Sequence, residues 1–240
     1  APPVAANDTS SGEFDTNQMI TLLTNDSATS PATLVASSVR LCATTSTANA
    51  SCTLTSLTVA DEGTYTVNTT TGVVTFDPLP TFTGTASPVK YVVQDTTGQI
   101  AGATVTPTVS LPDPPVATPE SKAVIPGGTA TFTTVSGSGG LGSSVAGLDT
   151  SLTCLFTPGT SICDADGVVT VSGEGTYTLN QSTGVVTFVA DVNATQGNKT
   201  SVTYQIVDQF GQTATSTLTP VVPAPPVAAN DTSSGEFDTN

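Results

Sequence analysis

Four cysteines are the residues in this sequence whose spacing defines a chemistry most clearly. They form two similar pairs, Cys42 with Cys52 and Cys154 with Cys163. Four cysteines allow three connectivities, and only pairing within each pair repeats along the chain. The spacings match neither a C-x-x-C redox motif nor a zinc site, and the chain has no histidine to complete one. The sequence therefore predicts two local disulfides and an oxidising compartment outside the cytosol, with buried free thiols as the alternative.

Acidic residues recur at loop positions and make calcium a candidate ligand. Glu62 and Glu174 precede two similar hairpins, and Asp95 and Asp208 each open a D-x-x-G turn. A second group of possible oxygen ligands lies near the start of the chain: Asn7, Asp8, Asn25 and Asp26. An aspartate that opens a turn is also explained by its side chain accepting from backbone N–H groups. Because no EF-hand loop is present, we predict no metal and no cofactor, with calcium as the weaker alternative.

No set of residues has the pattern of a catalytic site. Without histidine, a serine or cysteine nucleophile would need a lysine base, and Lys90 is replaced by Thr203 in the second repeat described below. Lysine-to-asparagine crosslinks would also need lysines at shared positions, and Lys90, Lys122 and Lys199 share none. We therefore predict that the chain is not an enzyme and has no catalytic residues.

A repeated hairpin positions these residues. The stretch GTYTVNTTTGVVTF at residues 63–76 returns as GTYTLNQSTGVVTF at residues 175–188, with eleven of the fourteen positions identical. Alternation on either side of a T-G turn predicts two antiparallel strands, and Gly72 and Gly184 lie where the loop needs a positive φ. Asn68 and Asn180 in these loops are also glycosylation sequons, which a Ser/Thr-rich chain produces by chance.

The remaining apolar runs predict about seven strands in roughly 110 residues, with turn signals typical of a β-sandwich. The other candidate strands are Gln18 to Leu23, Val35 to Cys42, Cys52 to Val59, Val89 to Asp95 and Ile100 to Leu111. We expect the Cys42–Cys52 disulfide to tie the ends of a hairpin. Pro78 and Pro80 are expected to break the ladder after the repeated hairpin.

Repetition also divides the chain into modules. The two hairpins begin 112 residues apart (175 − 63), which predicts modules at residues 1–112 and 113–223, each starting with PPVA. Residues 224–240 are identical to residues 1–17, with a period of 223 residues (224 − 1). We therefore expect the parent protein to hold copies of this two-module unit in series, with residues 224–240 as the start of the next one.

Composition limits the possible partners. The net charge is −15 with only 10% charged residues, so no basic surface exists to bind nucleic acid. No apolar run is long enough for a membrane helix, which predicts no membrane insertion in this segment. Hydrophobic residues make up 37% of the chain and alternate in period-2 runs, which indicates packed strands. We predict an all-β fold of two tandem immunoglobulin-like β-sandwich modules arranged end to end.

The pattern G-x-Y-x-[VL]-N-x-x-T-G-V-V-T-F, followed by Y-x-x-x-D-x-x-G-Q-x-A, resembles the CshA-type fibril repeat of bacterial surface adhesins. It spans residues 63–101 and 175–214. The opening P-V-A-x-N-D and the L-L-T-N-D at residues 22–26 resemble the start of other bacterial immunoglobulin-like tandem repeats. The resemblance implies β-sandwich modules strung along a secreted cell-surface protein, in which the tandem region forms a stalk. The paired cysteines depart from the better-known members.

These observations predict a structural repeat unit of an extracellular bacterial surface fibre or adhesin stalk, acting as a disulfide-stabilised spacer in a linear array. Its partners would be neighbouring repeats of the same protein, joined covalently in tandem or by strand addition. The alternative is an adhesive module that contacts host or neighbouring cells through its loops, chiefly Ser136–Gly147 and Asp77–Gly84. Both interpretations place the chain at the cell surface.

Overall fold

The structure is a computed structural model that describes residues 1–132, 142–230 and 232. It divides into two compact units, Ala1–Pro112 and Asp113–Asn240. The only helices in the described part of the chain are two 3-10 turns of three residues each, at Leu22–Thr24 and Thr150–Leu152. Neither is long or apolar enough to cross a membrane. The prediction of an all-β fold built from two repeats is confirmed.

The first unit consists of nine strands. They are β1 (Asp8–Gly12), β2 (Gln18–Ile20), β3 (Leu34–Leu41), β4 (Ser56–Val59), β5 (Gly63–Val67), β6 (Val74–Pro78), β7 (Gly84–Thr85), β8 (Val89–Asp95) and β9 (Ile100–Val109). In β5 and β6, buried and exposed side chains alternate along the strand, as expected when one face of a sheet packs on a core. The threonines occupy the outward positions and the aromatic and aliphatic side chains the inward ones.

Two sheets pack face to face in this unit. One has the order β1-β9-β8-β3, with β7 also paired to β9, and the other has the order β2-β6-β5-β4. The buried apolar side chains of both sheets form a single core. Most neighbouring strands are antiparallel, but the first strand runs parallel to the last, from Asp8 opposite Val105 to Gly12 opposite Val109. The unit is thus a β-sandwich whose first and last strands lie side by side.

The second unit repeats this arrangement. Its strands are β10 (Val116–Ala117), β11 (Glu120–Ala123), β12 (Thr129–Phe132), β13 (Gly142–Ser143), β14 (Cys154–Leu155), β15 (Val168–Val171), β16 (Gly175–Asn180), β17 (Val185–Ala190), β18 (Gly197–Asn198), β19 (Val202–Val207) and β20 (Thr213–Val222). The sheets have the orders β11-β20-β19-β14, with β18 on β20, and β12-β17-β16-β15. Strand β11 is again parallel to the last strand, β20.

The repeated hairpin supplies the largest buried side chains of each unit. Tyr65 packs on Phe76 with ring centroids 4.6 Å apart, and Tyr177 packs on Phe188 at the same separation. All four aromatic side chains are fully buried. The hairpin loops contain glycine with φ of 73° and 70°, at the positions 72 and 184 that the sequence indicated. The hairpin prediction is confirmed in both copies.

The two buried tyrosines differ in one respect that predicts opposite mutational effects. The Tyr177 hydroxyl donates to the Thr200 carbonyl at 2.7 Å, whereas the Tyr65 hydroxyl has no partner among the described residues. We expect Tyr177→Phe to lower the free energy of unfolding by about 1 kcal/mol, because it removes a buried hydrogen bond. Tyr65→Phe should be neutral or stabilising by about 1 kcal/mol, because it removes an unsatisfied polar group. Equal destabilisation of both variants in urea titrations would contradict this assignment.

Two local expectations were wrong, and the expected break of the ladder falls at Pro78 as the last residue of β6. The strand expected at Gln18 to Leu23 ends at Ile20, because the chain turns into the 3-10 helix Leu22–Thr24 and buries Leu22. Strand β6 continues through Pro78, which pairs with Gly63 as the last step of the ladder. Pro78 is therefore the last residue of the strand, where its missing N–H removes no further hydrogen bond from the ladder.

The chain around the first cysteine pair also differs from the expected hairpin. Strand β3 pairs with β8 in one sheet, and β4 begins only at Ser56 and pairs with β5 in the other sheet. Besides the disulfide, one isolated antiparallel bridge, Leu41 to Leu54, joins the two arms. The segment between the cysteines is therefore a crossing from one sheet to the other. Local alternation in the sequence does not distinguish such a crossing from a hairpin.

Candidate sites: disulfides, turn acids and an acidic cluster

Each unit contains one disulfide within a short loop. The structure joins Cys42 to Cys52 and Cys154 to Cys163, at sequence separations of 10 and 9 residues. Cys42 and Cys52 are buried and pack on Val92 in a small cluster of their own. Cys163, in contrast, is exposed to solvent. The two bridges lie in the same region of each unit, but Cys42 aligns with Phe156 and not with Cys154, and they differ in their access to reductants.

The aspartates of the D-x-x-G turns bind backbone N–H groups. Asp95 Oδ1 accepts from the N–H groups of Thr97 at 2.8 Å and Gln99 at 3.0 Å, and from the Thr97 hydroxyl at 2.7 Å. Asp208 Oδ1 accepts from Phe210 and Gln212 in the same way. The Thr97 hydroxyl bond, together with the backbone N–H bonds, lowers the pKa of Asp95. These geometries match the turn interpretation of both residues.

The glutamates that precede the hairpins fix the start of a strand in the opposite sheet. Glu62 accepts from the backbone N–H of Ser87 at 2.8 Å and from its hydroxyl at 2.6 Å. Glu174 accepts from the N–H of Thr200 in the second unit. Ser87 and Thr200 lie just before β8 and β19, so these bonds tie the two sheets together. Glu62 and Glu174 therefore each have a structural hydrogen-bond partner within their own unit.

Sequence analysis missed the role of the hairpin asparagines. Asn68 Oδ1 accepts from the N–H groups of Thr70 and Thr71, and Asn180 Oδ1 accepts from those of Ser182 and Thr183. Each asparagine thus closes its own loop as the first residue of the turn. The signal was available, because an asparagine that opens a turn commonly accepts from the backbone N–H two residues on.

An acidic cluster forms where the chain enters the first unit. Asp26 Oδ1 accepts from the N–H of Ala6 at 2.7 Å, and its Oδ2 lies 2.9 Å from the Tyr91 hydroxyl, which also lies 3.1 Å from the Ala6 carbonyl. Asp8 faces Asp26, Tyr91 and Asn25 and is only 8% exposed. Burial raises the pKa of the Asp8 carboxyl and the neighbouring Asp26 charge adds to this, while hydrogen bonding with Tyr91 and Asn25 partly offsets the rise. The four residues singled out near the start of the sequence are therefore brought together.

The remaining members of the cluster hold its backbone in place. Asn25 Nδ2 donates to the Asn7 carbonyl at 3.2 Å, and Asn7 Oδ1 accepts from the N–H of Thr104 at 3.1 Å. A bridge between Val4 and Ser27 aligns the two segments that contribute the acids. Asn7 and Asn25 are exposed, so the buried carboxylates have a route to solvent.

The equivalent place in the second unit has a different composition. Asp8 pairs with Val105 and Glu120 with Leu218 at the same step of each parallel ladder, so the two acids correspond. The Tyr204 hydroxyl donates to the Thr118 carbonyl at 2.6 Å, and the Tyr91 hydroxyl lies 3.1 Å from the carbonyl of Ala6, the residue that corresponds to Thr118. Pairing of Val116 with Ser143 matches that of Val4 with Ser27, which places Gly142 where the first unit has Asp26. The second unit therefore has one acid at this position instead of two.

The lysines considered for crosslinks make other contacts. The Lys90 amino group donates to the Ser46 carbonyl, the Lys199 amino group donates to the Thr195 carbonyl, and Lys122 lies 3.9 Å from Glu120. Of the two loops considered for adhesion, Asp77–Gly84 is closed by bonds from Leu79 to Glu62 and from Phe82 to Leu79. Residues 136–141 of the other loop lie outside the described residues, and its next two residues form β13.

Comparison with known proteins identifies the repeat. The family described as "Surface adhesin CshA repetitive domain" matches residues 1–109 and again residues 117–222. No protein of curated function matches the sequence. Among solved structures, the chain is similar to Drosophila N-cadherin EC1-4 at 12% identity and a TM-score of 0.31, covering 92% of this chain and 50% of that one. Mouse cadherin-23 EC22-24 gives 14% identity, a TM-score of 0.33 and coverages of 92% and 64%.

Proposed function

Because the chain belongs to the family of surface adhesin CshA repetitive domains, we propose that it is a structural repeat unit of an extracellular surface fibre. In this role it acts as a disulfide-stabilised spacer in a linear array of similar units. The family match covers both units, and two disulfides are consistent with a location outside the cytosol. Its partners are then the neighbouring repeats of the same protein.

In each unit, the parallel pairing of a strand near the start with the last strand carries this proposal. Strand β1 runs in the same direction as β9, and β11 runs in the same direction as β20. A chain that starts along one strand and finishes along a parallel neighbour enters the sandwich at one end and leaves it at the other. Each unit therefore advances the chain by about the length of its last strand, roughly 33 Å for ten residues. An antiparallel pair would have returned the chain to its starting end.

The position of β1 favours covalent tandem linkage over strand addition between subunits. Residues 8–12 already occupy the edge of β9 within their own unit. The same sequence recurs at residues 224–240. We infer that each copy of this stretch supplies the first strand of the unit that follows it in the same chain. That edge is then filled and unavailable to a strand from another molecule.

The proposal predicts how the length of a particle grows with the number of units. We expect small-angle X-ray scattering to show that a chain with two copies of residues 1–223 has a maximum dimension close to twice that of one copy. The expected gain is about 70 Å for the two added units. A four-unit chain whose maximum dimension scarcely increases would exclude a linear spacer.

A binding experiment separates the spacer from the adhesive alternative. A pure spacer immobilised on a surface should retain no glycan or host matrix protein above the level of an unrelated β-sandwich of similar charge. Specific retention that disappears when the 77–84 loop is replaced by a short glycine-serine turn would favour the adhesive module. The two measurements are independent, because a chain can be both extended and adhesive.

A further inference from the structure

The negative charges of the two carboxylates at the start of the first unit are not compensated by a cationic side chain among the described residues. Asp8 is more than nine-tenths buried, and its Oδ2 has no hydrogen-bond partner anywhere in residues 1–132 and 142–230. Asp26, which faces it, has one hydrogen bond to each oxygen. Two carboxylates side by side in a poorly solvated place repel each other, and an unpaired buried carboxylate oxygen costs additional free energy. A cation bound between the two carboxylates would offset this cost.

The cationic side chains of the chain are committed to other places. There are four, and the described contacts of their charged groups are Arg40 with the Ser37 and Val39 carbonyls, Lys90 with Ser46, Lys199 with Thr195, and Lys122 with Glu120. Of these contacts, the single one to a carboxylate is in the second unit. The Asp8 and Asp26 charges therefore have no ammonium or guanidinium partner in the described part of the protein.

In the second unit the same position holds one acid, whose Oε2 is also buried without a hydrogen-bond partner among the described residues, and a lysine lies near it. Glu120, the counterpart of Asp8, lies 3.9 Å from Lys122. The residue of the first unit that corresponds to Lys122 is Ser10, two positions after Asp8 on the same strand. A carboxylate at Gly142 is sterically blocked, because a Cβ there would lie 2.4 Å from both Ile206 Cδ1 and the Val116 carbonyl. At this place the second unit thus has one acid and a lysine, whereas the first unit has two acids.

We propose that the first unit binds a calcium ion between Asp8 and Asp26. The cluster offers carboxylate oxygens from both aspartates and main-chain carbonyls from Ala6 and Asn7, with Tyr91 beside them. Hard oxygen donors of mixed type are what calcium takes, and a site with only two carboxylates matches the weak affinities of extracellular modules, on the order of 0.1 to 1 mM. The site is specific to the first unit and does not depend on whether the array is linear.

Terbium luminescence provides a direct test on the full 240-residue chain. Terbium replaces calcium at oxygen sites, and because the chain has no tryptophan, tyrosine is the sensitiser. Tyr91 lies against Asp26, so a bound ion should emit on tyrosine excitation. We expect saturable emission from one ion per chain that calcium displaces, together with a calcium-dependent rise in the melting temperature of chelator-treated protein. Asp8→Asn and Asp26→Asn should each weaken the affinity at least tenfold.

Two further variants separate this site from diffuse attraction to a chain of charge −15. Glu120→Gln removes the equivalent acid in the second unit and should leave emission and calcium response unchanged. Ser10→Lys copies the lysine of the second unit and should abolish the calcium response while preserving the fold in chelator. The proposal is overturned if wild-type protein gives no displaceable emission and no calcium-dependent stabilisation. It is also overturned if Glu120→Gln reduces the response as much as Asp8→Asn does.

Discussion

Gly175→Ala is expected to destabilise the second unit by about 3 kcal/mol while leaving the first unit unchanged. A Cβ at this position would lie 2.3 Å from the Val189 carbonyl and 2.5 Å from Phe188 Cζ. Neither neighbour can move freely, since one belongs to the backbone of β17 and the other packs on Tyr177 in the core. Accommodating the methyl group would therefore require separating the two strands at the start of the hairpin.

Gly173→Ala is the matched control, two residues earlier in the same turn. Gly173 also has a positive φ, 74°, but no described atom lies within 4 Å of the Cβ that alanine would add. Alanine there should cost only about 1 to 2 kcal/mol, from the left-handed backbone alone. Calorimetric unfolding of both variants separates the free-energy cost of backbone strain from the cost of the close contacts at Gly175. Similar losses in the two variants would mean that the hairpin relaxes and that the close approach is not the reason for glycine.

Replacing Cys42 and Cys52 by serine should lower the free energy of unfolding of the first unit by about 3 kcal/mol. Closing a loop of this length restricts the unfolded chain by about that amount. For a unit of this size the melting temperature should then fall by roughly 10 to 20 °C. The matching change at Cys154 and Cys163 tests whether the contribution is the same in the other unit.

Exposure predicts the order in which the two bridges are reduced. Cys163 is open to solvent, whereas Cys42 and Cys52 are 1% and 5% exposed. A reductant titration followed by alkylation and peptide mass spectrometry should therefore label Cys154 and Cys163 first, with the other pair protected until the first unit unfolds. Labelling of Cys42 and Cys52 at the lowest reductant concentration would show that their burial does not protect them.

Sequence patterns predicted the elements that depend on neighbouring residues. The repeated hairpin and strands β8 and β9 follow from alternation around glycine turns, and β8 begins and ends where expected, at Val89 and Asp95. Nothing in such local patterns indicates which sheet a strand joins. The crossing after β3 and the parallel pairing of β1 with β9 arise from contacts between residues far apart in the chain, which period-2 alternation does not encode.

The acidic cluster also depends on contacts between residues that are far apart in the chain. Sequence analysis identified Asp8 and Asp26 among eight possible oxygen ligands but gave no reason to prefer them over Glu62 or Asp95. The preference comes from the bridge between Val4 and Ser27, which brings two segments together around Tyr91. Asp8 Oδ2 and Asp95 Oδ2 both lack a partner in the described residues, so what singles out Asp8 is the second aspartate beside it. Both facts depend on tertiary packing.

The parallel alignment of β1 with β9 determines how a unit carries tension. Pulling on the two ends of the chain draws β1 toward one end of the sandwich and β9 toward the other, so the load acts along the strands. The ladder from Asp8 to Gly12 is then sheared, and its hydrogen bonds share the force and must fail together. In an antiparallel terminal pair the same pull would open the bonds one after another from the end. A fibre of such units should therefore resist stretching up to a sharp threshold and then lengthen in steps, one sandwich at a time.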